Sequence, residues 1–144
     1  ILFLIFNISY FLHNYFRHYP REFSSEWQYG YKEAIEFTSA NESKFDNIIF
    51  TEELGRPYIY VLFHKQYNPI KFRQEAKVER EVLGFVHVRS FGKYKFVKSV
   101  LNNIDKTRNN LYVDSSGNVP DDAKVLKSFD LLNGELNLVA YSYE

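Results

Sequence analysis

The sequence predicts an α/β fold: the end of a transmembrane helix, then a small mixed-sheet domain finished by C-terminal β-hairpins. Three observations carry that expectation. No charged residue precedes Arg17, and the chain opens on the apolar run Ile1-Leu-Phe-Leu-Ile-Phe6. Helical spacings and Pro-led segments then alternate with short β-branched runs such as Asn47-Ile-Ile-Phe-Thr51, the order that builds a layered α/β domain. Finally, Asn133-Gly134 separates two strand-like runs, a strong short-range hairpin signal.

Residues 1–19 read as the end of a membrane helix and its interface, and residues 20–144 as the α/β domain. A full span needs about 20 apolar residues, so the run is expected to be the C-terminal part of a span, and the chain the tail of a longer membrane protein. Tyr10, Tyr15, Phe16, His18 and Tyr19 fit an interfacial belt, where amphipathic rings sit at headgroup level. A buried helix of a soluble domain is the competing expectation. A signal peptide is disfavoured, because neither a basic start nor a small-residue cleavage site is visible.

Pro20 should end or kink the first helix. Ser24 or Ser25 then caps a second, with Glu26 in its first turn. Phe23, Trp27, Gly30, Ala34 and Phe37 recur at helical spacing and form one stripe as far as Asn41. Gly30 and Ala34 would let a partner backbone approach. The run 47–51 reads as a buried strand, parallel to its neighbours. Pro57 starts a helix over 58–66, and Pro69 starts a shorter one. Residues 82–89 and 94–97 pair around the turn Ser90-Phe-Gly92. A polar connector or short surface helix fills 102–110, a short strand 111–114, and turns follow at 115–118 and 120–122. The last hairpin joins 124–132 to 135–143 through a type I′ turn at Asn133-Gly134.

Composition removes several chemistries. Lys plus Arg equals Asp plus Glu at 18 each, so the clustered cation excess that binds phosphate backbones is absent, and no nucleic-acid partner is expected. There is no Cys, which excludes disulfides, thiol nucleophiles and Cys-ligated zinc. His13, His18, His64 and His87 lack HxH, HxxxH or HExxH spacing, so no metal site is expected. Neither GxGxxG nor a P-loop occurs, no cofactor is expected, and no GxSxG elbow marks a nucleophile. The 12 Tyr and 14 Phe suit a core, a membrane interface or a sugar-binding face. Lys93, Lys95 and Lys98 alternate with Tyr94, Phe96 and Val97, as on an edge strand guarded by lysines or a surface for lipid headgroups. Glu52-Glu53 and Asp121-Asp122 read as solvated surface acids.

His18-Tyr-Pro20 and Trp27-Gln-Tyr-Gly-Tyr-Lys-Glu-Ala34 resemble the segment after the last membrane helix of bacterial membrane glycosyltransferases. The group is the dolichyl-phosphate-mannose-protein mannosyltransferase-like one, related to the aminoarabinose transferases. Asp46-Asn-Ile-Ile-Phe-Thr51, Arg56-Pro-Tyr-Ile-Tyr60, Phe91-Gly-Lys-Tyr-Lys-Phe96 and Val119-Pro-Asp-Asp-Ala-Lys-Val-Leu126 are similar to the same tail. The resemblance implies a polytopic enzyme that moves a sugar from a polyprenyl-phosphate carrier to an acceptor. This chain would be its accessory domain on the extracytoplasmic face of the cell membrane. The partners so implied are membrane lipid, the transmembrane catalytic domain, and a polyprenyl-phosphate sugar or glycan acceptor. The family's catalytic acids lie in early loops that no position here matches, so the resemblance implies no catalytic residue. Arg17 and Arg21 pull the other way, since such residues favour the cytoplasmic side.

Within that reading Trp27, Tyr29 and Tyr31 are candidates for stacking on an acceptor, with helix packing as their alternative role. A membrane-tethered, non-catalytic interaction or structural module is the competing function. A small α/β enzyme would need a polar pocket holding His64 or His87 beside a carboxylate.

Overall fold

A computed structural model describes residues 1–80, 84 and 86–143. A seven-stranded mixed sheet lies at its centre, with helices against one face. The chain begins with helix α1 (Leu2–His13), passes through a π-helical turn at Asn14–His18, and continues as α2 (Tyr19–Glu22). Helix α3 (Tyr31–Asn41) leads into strand β1 (Asn47–Thr51), and helices α4 (Pro57–His64) and α5 (Pro69–Glu75) follow. Strands β2 (Lys77–Arg80), β3 (Val86–Phe91), β4 (Tyr94–Val97), β5 (Asn110–Ser115), β6 (Lys124–Asp130) and β7 (Leu136–Ser142) complete the sheet. Their spatial order is β2-β3-β4-β1-β5-β7-β6.

Strand β1 pairs parallel with β4 on one side and with β5 on the other. That explains its continuous apolar reading: Ile48 and Phe50 face the helices, while Ile49 faces the opposite side, and a strand covered on both faces has no polar alternation. On the helix side Ala34 and Ile35 of α3 and Val61 of α4 pack on Phe50, Tyr94, Phe96, Leu111, Val113, Leu138 and Ala140. The other face carries a smaller cluster of Ile49, Val100, Tyr112, Val139 and Tyr141, to which Val97, Ile104, Val119 and Ala123 add cover.

The Pro-led helices form as expected. Pro57 and Pro69 each stand in a first turn, where the missing N–H has no intrahelical partner to lose. The Asn68 side chain caps α5 by accepting from the N–H groups of Ile70 and Lys71 at 2.9 and 3.2 Å.

Several expectations are corrected. The second helix begins at Tyr31, not at Ser24 or Ser25: residues 23–30 are turns. Ser24 is buried and donates to the Arg21 carbonyl at 3.0 Å instead of capping. Gly30 opens α3 with φ 98°, a left-handed conformation that breaks the helical stripe before it reaches Trp27. An alanine Cβ at Gly30 would meet Asn137 Nδ2 and Phe129 Cβ at 3.7 Å, an ordinary contact. Gly30 is therefore conserving backbone freedom, not making room for a partner. Gly30→Ala is expected to cost about 1–2 kcal/mol through backbone strain, read as a lower denaturation midpoint with an unchanged m-value.

Of the two outcomes expected at Pro20, the helix does not end there but is irregular just ahead of it, at the π turn. Pro20 sits in the short α2, where the wider π turn ahead of it has already shifted the hydrogen-bond ladder. Among the described residues no helix is long and apolar enough to cross a membrane. The strand expected over 82–89 lies partly outside the described residues; its described part runs on through Ser90 and Phe91, and the turn falls at Gly92-Lys93. Strand β4 is interior, between β3 and β1, so its Lys95 guards no edge, and Lys93 and Lys98 lie just outside the strand. The final hairpin keeps its position but not its turn. Gly134 has φ 89° while Asn133 does not share a positive φ, so the type I′ geometry is absent. Gly134 N–H donates to the Leu131 carbonyl at 3.0 Å and Leu131 N–H to the Glu135 carbonyl at 2.7 Å, a longer loop built on an αL glycine.

Candidate functional site at the carboxyl edge of the parallel strands

The chain leaves β1 to build α4, α5, β2, β3 and β4 on one side, then crosses to β5 on the other. In open α/β sheets such a reversal splays the loops at the carboxyl ends of the strands and opens a crevice there. A cavity of about 610 Å³ occupies that position, within the range of small-molecule sites. Glu52, Glu53, Gly55 and Arg56 come from the loop after β1, Lys98, Ser99 and Leu101 from the loop after β4, Asn118 from the turn after β5, and His87 from β3.

Its charges are ordered. Glu52 accepts from Arg89 Nη1 at 2.9 Å, and Arg89 Nε donates to Glu79 at 2.8 Å. Those two carboxylates hold the guanidinium still more firmly protonated than usual, the Glu79 hydrogen bond most of all. Glu53 is held by neutral donors: Ser115 Oγ at 2.6 Å and Asn118 Nδ2 at 2.7 Å. Lys98 is exposed and makes no ion pair among the described residues. The cavity thus presents carboxylate, ammonium, amide and hydroxyl groups around a partly apolar wall at Leu101. Such a set can orient a polar ligand through hydrogen bonds of both senses.

Asp114 stands behind this wall on β5, 1% exposed. Its Oδ1 accepts from Ser115 N–H at 2.9 Å, and Oδ2 has no partner of good hydrogen-bond geometry. Burial pushes the Asp114 carboxyl above its ordinary value, against the opposing pull of its Ser115, Thr51 and Asn118 neighbours. A carboxyl raised in the fold binds its proton more tightly folded than unfolded, so its contribution to stability is present at low pH and lost as pH rises through the raised value. Asp114→Asn is therefore expected to raise the thermal midpoint at pH 7 and to leave it nearly unchanged at pH 3, as calorimetry at the two pH values would read.

The aromatic candidates separate. Tyr31 is 1% exposed and stacks on Tyr60 at 5.0 Å, so its role is packing; burial also drives its phenol well above the ordinary range. Trp27 is 67% exposed and Tyr29 38%, and neither lines the cavity. Gln28 between them, at φ 54°, accepts a hydrogen bond from the Tyr60 hydroxyl, which ties this segment to α4. The interfacial candidates stay together: Tyr10, Tyr15, Phe16, His18 and Tyr19 are all exposed on one continuous helical rod. Phe11, Tyr15, Tyr19 and Phe23 stack in sequence at 5.8, 6.0 and 4.7 Å.

Sequence reasoning treated Glu52 and Glu53 as surface acids and gave Lys98, Ser99 and Asn118 no shared site. The only available signal was their common position just after short strands. His87 lines the same cavity as Glu52 and Glu53. Lys93 turns away from Lys98 and donates to the carbonyls of Glu42 and Phe45 at 3.0 and 2.8 Å. No group of three or more His, Asp or Glu is placed to hold a metal among the described residues.

The fold is a mixed α/β one, with a crevice at the topological switch point of its sheet. Comparison with protein-family models gives no match, and neither a curated protein nor a solved structure matches the chain.

Proposed function

We propose that this chain is a membrane-anchored accessory domain of a polytopic glycosyltransferase, one that moves a sugar from a polyprenyl-phosphate carrier to an acceptor. The carrying observation is the N-terminal rod. No residue of α1, the π turn or α2 is buried, and Leu2, Phe3, Leu4, Phe6, Tyr10, Phe11 and Phe16 are each more than 60% exposed. An apolar surface so continuous requires an apolar neighbour, and the aromatic ladder at its domain end suits the headgroup layer. The transferase assignment rests on the resemblance of the quoted segments. In that reading the α/β layer stands on the extracytoplasmic side, and the carboxyl-edge cavity receives the polar part of an acceptor or carrier.

Vesicle flotation with activity assays tests this reading. The purified chain is expected to float with phosphatidylcholine vesicles and to show no sugar transfer. Transfer by the isolated chain would reject the accessory role; failure to float would reject the anchor.

One observation favours a second reading. His87, Glu52, Glu53 and Ser99 line the same cavity, so a small transfer or hydrolytic centre is the alternative, with His87 as the proton-handling group. Loss of a measured turnover in His87→Gln, with the fold intact, would establish it over the first.

A further inference from the structure

The π turn brings together two histidines that their spacing would keep apart. Residues five apart on an α-helix diverge by about 140° around the axis. The i→i+5 ladder of a π turn returns them to one face. Across Asn14–His18 this sets His18 Nε2 and His13 Nε2 3.3 Å apart, with ring centroids at 5.1 Å and planes inclined by 62°. The two Nε2 atoms thus face one another as a hydrogen-bonded pair, one donating to the other, and a bound cation would take the place of that shared proton. Two imidazole nitrogens bound to tetrahedral zinc at about 2.0–2.1 Å lie about 3.3–3.4 Å apart, which matches the observed separation.

The surroundings suit the same chemistry. Glu22 Oε1 lies 3.9 Å from His18 Nδ1. A carboxylate on that side favours the tautomer with the proton on Nδ1 and leaves the Nε2 lone pair available to a metal. A cleft of about 310 Å³, lined by Asn14, Tyr15, His18 and Glu22 among others but not by His13, opens beside His18. No third His, Asp or Glu joins the two imidazoles among the described residues, so solvent fills the other coordination positions.

We propose that His13 and His18 form a two-imidazole site for a divalent d-block cation, of which zinc is the probe ion, at the neck between the apolar rod and the α/β domain. Imidazole suits zinc, copper and nickel, and a bound ion would clip the π turn closed. The pair lies on the same rod that carries the anchor reading, but its test reads zinc binding and so fails or succeeds separately from sugar transfer and flotation.

Calorimetric titration of the full chain in detergent micelles with zinc chloride tests it. One ion per chain is expected. Loss of either imidazole, in His13→Ala or His18→Ala, should weaken binding by more than about tenfold, whereas His64→Ala should leave it unchanged. Both histidines are exposed, so folding is expected to survive and far-UV circular dichroism checks that. In the unaltered chain, nitrogen NMR should show zinc shifting His13 and His18 Nε2 together. Absence of saturable one-to-one binding, wild-type affinity in either variant, or zinc shifts confined to His64 or His87 would overturn the site.

Discussion

Phe50→Ala is expected to destabilise the domain by about 3–5 kcal/mol, the usual cost of emptying a fully buried aromatic position. Phe50 is 0% exposed on the central strand, opposite Phe96 of β4 and Val113 of β5. Its ring lies 6.4 Å from Tyr94 and 6.5 Å from Phe96. Removing it leaves a cavity bounded by parallel strands on both sides, whose hydrogen-bonded ladders hold the walls apart and limit collapse. Chemical denaturation should show a much lower midpoint, and a domain of this size has only about 5–15 kcal/mol to lose. Phe63→Ala is the control. Phe63 is 74% exposed, and its removal should change stability by no more than about 0.5 kcal/mol. A small effect at Phe50 would mean that the sheet is not organised around β1.

The same strand shows what was legible in the sequence. Because β1 is covered on both faces, its side chains read as one apolar run. Pro57 and Pro69 announce α4 and α5 because proline fits a first helical turn. Residues 23–30 were misread for an identifiable reason: their apolar spacing is helical, but Gly30 and Gln28 take left-handed backbone, and spacing does not encode φ. Strand β2, Lys77–Arg80, was invisible because every one of its residues is exposed. It is an edge strand, and charges that guard an edge also erase the alternation that marks a strand. The π turn carries no spacing signal, so the His13–His18 approach could not be anticipated. The carboxyl-edge cavity draws residues from three separate loops and from β3. Only the sheet order brings them together, and no local motif records it. The hairpin at Asn133-Gly134 was found by its dipeptide, while the turn type depended on where β6 and β7 stop pairing.

Charging the N-terminal rod should separate membrane association from folding more sharply than any other change. In Leu4→Arg with Ile8→Arg, each arginine costs about 2.5–3.5 kcal/mol if its position lies in the hydrocarbon layer. Together they should lower vesicle partitioning by more than three orders of magnitude, at about 1.4 kcal/mol per tenfold. Leu4 is 62% exposed and Ile8 50%, so neither supports the α/β core, and the thermal midpoint in detergent should stay where it was. Flotation assays and calorimetry on the same double variant read the two quantities independently. Flotation lost with unchanged melting supports a rod that works in lipid. Melting that falls along with flotation would mean that these side chains pack against protein, either a second copy of the chain or another domain. The membrane anchor, and with it the accessory-domain proposal, would then have to be abandoned.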